Sequence, residues 1–223
     1  MIALKLHASA AELGIENPVA CLIRKFEIVP SHLAGLDDEV ASAVAFAQRG
    51  GALDAPTAMG FVEVLRRLGY QTVPAGHRLT KRVAEKGFPR YNNVIDACNI
   101  CSLEFGAGLG LHDATAITSD LELYRAKGTE QIIPLGKDKP KSVRVGDLAY
   151  GFGDQLLAWL GSEDVDSNVH KVTEGSRYLL FMVLGNRHTT AAFNRSVCLR
   201  MVHLMKRTSP GTYAQFVPTE RVT

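Results

Sequence analysis

Apolar and polar residues alternate along "IALKLH" (2–7), and "VACLIRKFEIV" (19–29) is crowded with branched and aromatic side chains, so the spacing predicts two early strands. The period then lengthens. "LDDEVASAVAFAQRGG" (36–51) opens with an acidic first turn and closes at paired glycines, while "LDAPTAMGFVEVLRRLGY" (53–70) offers Asp54 as a cap, an early Pro56 and a terminating Gly69. Both predict helices. "GHRLTKRVAEKG" (76–87) sets Leu79 and Val83 four apart among basic residues, which predicts a short helix with a charged outer face. In "NNVIDACNICSLEFG" (92–106) Val94 with Cys98, Ile95 with Leu103 and Cys101 with Phe105 keep helical spacing until Gly106, so a helix feeds a glycine-rich loop.

From Leu121 the pattern changes to short apolar runs divided by Gly, Pro, Asp and Lys: "LELYRA", "EQIIPLG", "KSVRVGDLAYGF", "QLLAWLG" and "SRYLLFMVLG". "TTAAFNRSVCLRMVHLMKRT" (189–208) returns to a helix with Phe193, Val197, Met201 and Met205 on one stripe, and "SPGTYAQFVPTERVT" (209–223) reads as a loose or docked tail. Nothing repeats. This order predicts an α+β fold, with helices mainly in the first half and antiparallel strands in the second, built as one unit over 1–223 or as two interlocked lobes. The regular strand and helix alternation of a doubly wound sheet is missing.

Composition narrows the class. With 46% apolar and 22% charged residues, 223 residues suffice for a substantial core. "YLLFMVLG" is far shorter than the ~20 apolar residues of a spanning helix, and the opening residues hold no sustained apolar run, so a soluble, uncleaved cytoplasmic protein with no membrane partner is expected. Cys21, Cys98, Cys101 and Cys198 are few enough to read as reduced thiols. The net charge of +2 conceals an uneven distribution, because residues 61–90 carry +5 and residues 171–207 carry +6. If these segments share a face they attract a polyanion; otherwise they are solvated helix surfaces.

Several chemistries lose support from the spacing. Cys98 and Cys101 form a C-x-x-C pair, which serves redox chemistry or half a zinc site, but no second pair completes a four-ligand set, so buried core thiols are the simpler reading and no metal is expected. "GAGLG" follows a helix instead of a strand and lacks the lysine and hydroxyl of a P-loop. No G-x-S-x-G elbow, H-E-x-x-H helix or kinase signature occurs. His112 and Asp113 are chain neighbours, which rarely point at each other.

"NNVIDACNICSLEFGAGLGLHD" (92–113) resembles a segment of the phenylalanyl-tRNA synthetase β subunit, in the fused third and fourth modules that form its tRNA-binding and editing domain. Asn92, Asn93, Asp96, Asn99, Leu103, Glu104 and Asp113 keep the family spacing without a gap. The arginine-rich lead-in and "LLAWLGSEDVDSNVHKVTEGSRYLLFMV" (156–183) are similar to neighbouring parts of the domain, so the resemblance spans about 61–205. It implies a mixed fold with a pocket between two lobes, in which the synthetase hydrolyses tyrosine wrongly attached to tRNA. Binding energy alone discriminates poorly between amino acids that differ by a small group, which is why a second hydrolytic site helps. A detached copy would act in trans on mischarged aminoacyl-tRNA. It would need no cofactor, only a positioned water and stabilisation of the developing oxyanion.

The resemblance also assigns roles. Asn99 would fix a substrate amino group or a water, and Asp166 would hold an α-ammonium group or the water. Where the family has a histidine this chain has Gly110, and where it has a threonine this chain has Cys98; His112, two positions later, is the available replacement. Asn99, Asp166 and His112 are thus the implied catalytic set. Gly106, Gly108 and Gly110 would bring backbone amides to the ester, unless they simply end a helix and turn the chain. Asn93, Cys98, Ser167 and Thr173 would complete the substrate wall, with Arg82 and Lys171 on the phosphates of the acceptor end and Asp113 capping a turn. Two other readings stay open: a module that binds tRNA or an amino acid without turnover, and a thiol-dependent enzyme using Cys98 or Cys101. A high thiol pKa in dry surroundings would count against the last.

Overall fold

Three layers make up the molecule: helices, a four-stranded sheet and a six-stranded sheet. The structure is a computed structural model and describes residues 2–223. Its elements in chain order are β1 (Leu4–His7), α1 (Ala8–Ala11), β2 (Val19–Arg24), a 3-10 turn (Ser31–Leu33), α2 (Asp37–Gln48), α3 (Pro56–Arg67), α4 (Ala75–Lys86) and α5 (Asn93–Phe105). There follow β3 (Leu109–Asp113), β4 (Leu121–Arg125), β5 (Gln131–Ile132), β6 (Lys141–Ser142), β7 (Leu148–Phe152), β8 (Gln155–Leu160), β9 (Asp164–Asp166), β10 (Leu179–Val183), α6 (Ala191–Met205), β11 (Tyr213–Val217) and β12 (Thr219–Val222). This is the expected α+β class, with helices early and strands late.

The four-stranded sheet runs β11-β2-β10-β3 and is wholly antiparallel. Because side chains on a strand alternate faces, β2 and β10 feed two cores at once. Cys21, Ile23, Leu179, Phe181 and Val183 pack against α2, α5 and α6, whereas Ala20, Leu180 and Met182 pack against the second sheet. That is why the β10 sequence reads as an unbroken apolar run: both of its faces are buried. The six-stranded sheet runs β12-β1-β4-β7-β8-β9, and β1 lies parallel to both β4 and β12, an exception to the expected antiparallel pairing. A third, smaller cluster around Trp159 lies under the β5–β6 ribbon.

Arg200 on α6 ties the helical layer together. Its guanidinium donates to Glu104 on α5 and to Glu39 on α2, with N–O distances of 2.7–2.9 Å along the close contacts.

Two local expectations need correction. Asp54 does not cap α3; the cap position falls on Ala55, which makes no side-chain hydrogen bond, and Pro56 starts the helix. Gly110 and His112 sit in strand β3 and not in a loop. Of the loose and docked alternatives for the last fifteen residues the docked one holds, since β11 completes one sheet against β2 and β12 completes the other against β1. α5 does end at Gly106, whose φ of 59° is left-handed and whose missing Cβ would lie 2.9 Å from that of Ala58.

Candidate functional site

A cavity of about 650 Å³ opens where α3, α4 and α5 meet the β3 edge and strands β7, β8 and β9. Its interior is mainly apolar, with Phe61, Leu65, Leu79, Trp159, Val165 and Leu184 among the lining groups. Trp159 is fixed from behind, because its indole N–H donates to the buried Asp147 carboxylate at 2.8 Å.

Polar groups converge on this apolar space from α5 and β9. Asn99, Cys98 and Ser102 face it from one side of α5. Asp164 and Asp166 face it from β9, on the same side of the strand because they are two residues apart. The two carboxylates have different surroundings. Asp164 accepts from the Ala75 N–H at the start of α4 at 2.8 Å and pairs with Arg78 at 3.3 Å, although burial still raises its carboxyl above the ordinary range. Asp166 keeps 46% of its side-chain surface open, and that surface looks into the cavity. The enclosing protein pushes its carboxyl up to about 7, and the Asp164 carboxylate adds to the shift.

Behind Asp166 stands a buried pair. His112 Nε2 meets the Tyr150 hydroxyl at 2.5 Å and lies 3.9 Å from Asp166 Oδ1. Burial lowers the imidazole to about 3, with His170 contributing, so His112 is neutral at physiological pH and forms no ion pair with Asp166. Tyr150 reaches the cavity wall; His112 is one layer further in, only 1% exposed. The strand period explains its placement, since residues 110 and 112 share one face of β3, and the space beside Gly110 is filled by the Tyr150 hydroxyl. His112 therefore does occupy the side of β3 on which a residue-110 side chain would project.

Of the residues singled out from the sequence, Asn99, Asp166, Cys98, Gly106, Gly108 and Ser167 are brought together on the cavity wall, and Arg82 and Lys171 stand exposed where it meets solvent. Others lie elsewhere. Asn93 is fully buried away from the cavity: its side chain accepts from Val29 N–H at 3.0 Å and donates to the Glu27 carbonyl and to Thr208 Oγ1 at 2.8 Å each. It straps α5 to the chain ahead of it. Thr173 is exposed in a turn closed by Ser176, and Gly110 is screened from the cavity by Tyr150. Asp113 holds a turn, accepting from Thr115 N–H at 2.8 Å and from the Ser176 hydroxyl; those bonds outweigh burial and lower its carboxyl.

The thiols are unsuited to nucleophilic work. Burial pushes Cys98 up to about 12 and Cys101 well above its usual range, so neither is a thiolate at neutral pH. Among the described residues, no group of three or more His, Cys, Asp and Glu side chains is arranged to hold a metal ion. No helix there is long and apolar enough to cross a membrane. The sequence reading missed Tyr150, Trp159 and Asp164. The alternation in "DVD" was the available signal for the last, but it lies in a stretch that also reads as an acidic turn.

A family model described as the B3/4 domain matches residues 65–200. The chain belongs to the B3/4 domain family. It is similar to the phenylalanine–tRNA ligase β subunit of Staphylococcus saprophyticus, with 27% identity over 128 residues. That match takes in 54% of this chain but only 16% of the relative, so the two share a module and little of the larger protein. Among solved structures, an N-terminal fragment of the phenylalanyl-tRNA synthetase β subunit from Pyrococcus horikoshii superposes with a TM-score of 0.55 at 10% identity. It covers 99% of this chain and 52% of that fragment, a likeness of fold. The chain is thus a homologue of the B3/4 part of the synthetase β subunit, as the 92–113 segment led one to expect.

Proposed function

We propose that this B3/4 domain is an aminoacyl-tRNA deacylase of the cytoplasm, which hydrolyses a mischarged aminoacyl ester in the cavity between its helical and sheet layers. One observation carries the reading: a largely apolar cavity of about 650 Å³ is lined by a partly exposed carboxylate, Asp166, and by the Asn99 amide. Asp164 is already bound to the α4 amide and Arg78. Asp166 is the natural partner for the α-ammonium group of an aminoacyl ester, which would favour its ionised form. Asn99 can both donate and accept, and so holds either the amino group or the attacking water.

The entrance suits a nucleic acid. Arg82 comes from one basic segment and Lys171 from the other, so the fold brings a cation from each to the same opening, where phosphates of an acceptor end would pass. We read the chain as one folded unit, a reading supported by the pairing of β1 with β12 and of β2 with β11. The chain needs no cofactor for this reaction, because water is the nucleophile and the protein supplies position and hydrogen bonds.

Purified protein incubated with a panel of mischarged tRNAs tests the reading. At least one ester should be released faster than it hydrolyses spontaneously, and Asn99→Ala or Asp166→Ala should abolish release while tRNA binding survives. Binding of tRNA with no release from any member of the panel would replace the deacylase by a non-catalytic binding module.

A further inference from the structure

β3 is the last strand of its sheet, with β10 on one side and no strand on the other. Its hydrogen-bonding parity is fixed at both ends. The Leu184 N–H donates to the Gly108 carbonyl at 3.0 Å, and the Ala114 N–H donates to the Tyr178 carbonyl at 2.8 Å. With the antiparallel register Gly110 to Met182 and His112 to Leu180, the even-numbered residues turn their backbone groups towards β10. The odd-numbered ones turn theirs outward. Asp113 uses its outward N–H on the His170 carbonyl at 2.8 Å. Leu109 and Leu111, further along the same edge, line the cavity.

The cavity lies off that edge. It touches Cys98 and Asn99 of α5, which covers one face of the sheet, and Tyr150 and Trp159 of the six-stranded sheet on the other side. A space bordered by both layers must run past the strand's rim, where unpaired N–H and C=O groups point. The glycines keep the rim in place without supplying it. A Cβ on Gly108 would meet the Phe61 ring at 2.6 Å, while the backbone groups of Gly108 and Gly110 are directed to β10.

We infer that the outward N–H of Leu111 is the donor that holds the carbonyl oxygen of the bound ester and stabilises the oxyanion formed when water adds. This rests on the deacylase reading and deepens it by assigning the backbone donor. Leu111 is the chosen residue because it lines the cavity with its backbone groups turned outward, on the strand whose next residue, His112, reaches to 3.9 Å from Asp166. In the reaction, water oxygen bonds to the acyl carbon and the carbonyl π pair moves onto oxygen at the Leu111 N–H. Collapse then breaks the bond to the ribose oxygen, which takes up the proton lost by water. The products are a free amino acid and an unacylated tRNA end.

Replacing the single amide tests it. Leu111→leucic acid, introduced into the full chain by nonsense suppression, substitutes an ester oxygen for the N–H and leaves the side chain unchanged. We expect kcat to fall about 10²–10³-fold with KM within about twofold, the loss seen when one oxyanion donor is removed. Gly110→glycolic acid deletes an amide directed to β10, and should lower the denaturation midpoint while leaving kcat near wild type. Unchanged kcat in the Leu111 variant, or an equal loss in both, overturns the assignment. A second measurement separates this from the deacylase reading: binding of an aminoacyl-adenosine analogue with a phosphonate in place of the acyl carbon, which cannot be hydrolysed and carries an anionic oxygen where the oxyanion would form. Weaker binding by the Leu111 variant supports the donor even if no ester is turned over. Equal binding by variant and wild type, or none by either, removes it.

Discussion

The hydroxyl of Tyr150 occupies the place where a side chain on Gly110 would begin, 1.8 Å from the position of a Cβ there, and the same hydroxyl meets His112 Nε2 at 2.5 Å. Position 110 is therefore set by a ring on another strand and not by a turn. Gly110→Ala should destabilise the protein by about 1–3 kcal/mol, the usual cost of overpacking a filled core. Tyr150→Phe removes the clashing oxygen and should recover part of that loss in the double variant. Urea unfolding of the four proteins in a double-mutant cycle checks the coupling, and strictly additive effects would deny it.

Asn93 and Asn99 sit in one motif and should behave oppositely. Asn93→Ala leaves the Val29 N–H and the Glu27 carbonyl without their buried partner, at a cost of about 2–6 kcal/mol if each lost partner costs roughly 1–3 kcal/mol. Asn99→Ala should leave the unfolding midpoint nearly unchanged and remove deacylation. Circular dichroism melts beside an ester-release assay distinguish the two.

Asp166 links the site to pH. Its folded carboxyl is raised to about 7 from 3.8, so the folded state binds the proton more tightly than the unfolded chain does. Its contribution to stability is complete below about 3.8 and is lost as pH rises through 7. Asp166→Asn should therefore stabilise the protein relative to wild type at pH 8 and make little difference at pH 4. Turnover, if it needs the carboxylate, should rise with pH over the same range. Melting temperatures and rates measured from pH 5 to 8.5 should run in opposite directions.

His112 has the reverse sign. Burial depresses it to about 3 from 6.5, so the unfolded chain takes up a proton that the folded one refuses, and stability falls as pH drops from 6.5 towards 3. The slope should reach about 1.4 kcal/mol per pH unit for this one group. Denaturation midpoints at pH 6.5 and 4.5 for wild type and His112→Gln should show a weaker acid dependence in the variant.

Arg82 and Lys171 should act as phosphate contacts. Each replacement by alanine should weaken tRNA binding and reduce the slope of log affinity against log salt by about 0.7–0.9. Filter binding at several salt concentrations measures this, and an affinity indifferent to salt would remove RNA as the partner.

Much of the fold was legible because periodicity reports burial. The α5 and α6 stripes, the alternation in β1 and the doubly buried β10 all left that mark. β12, with little apolar content, left none, because its role comes from pairing with a strand more than two hundred residues away. The site was legible in part. Asn92, Asn93, Asp96 and Glu104 share the motif with Asn99, yet they cap α5, strap it, hold Arg90 and hold Arg200. Spacing identifies such residues together and cannot separate those that hold the helix from those that face the cavity. Tyr150 and Trp159 were hidden for the opposite reason: in sequence they read as ordinary core aromatics.

The pairing of β2 with β11 and of β1 with β12 makes the earliest strands wait for the latest. On a ribosome, Leu4 and Val19 emerge long before β12 and β11 exist, so an emerging chain must carry two apolar ribbons, each with an open rim, until residues 213–222 are made. Such distant closures are slow, which places final assembly after β11 and β12 have cleared the exit tunnel and makes a chaperone's shelter most useful before that moment.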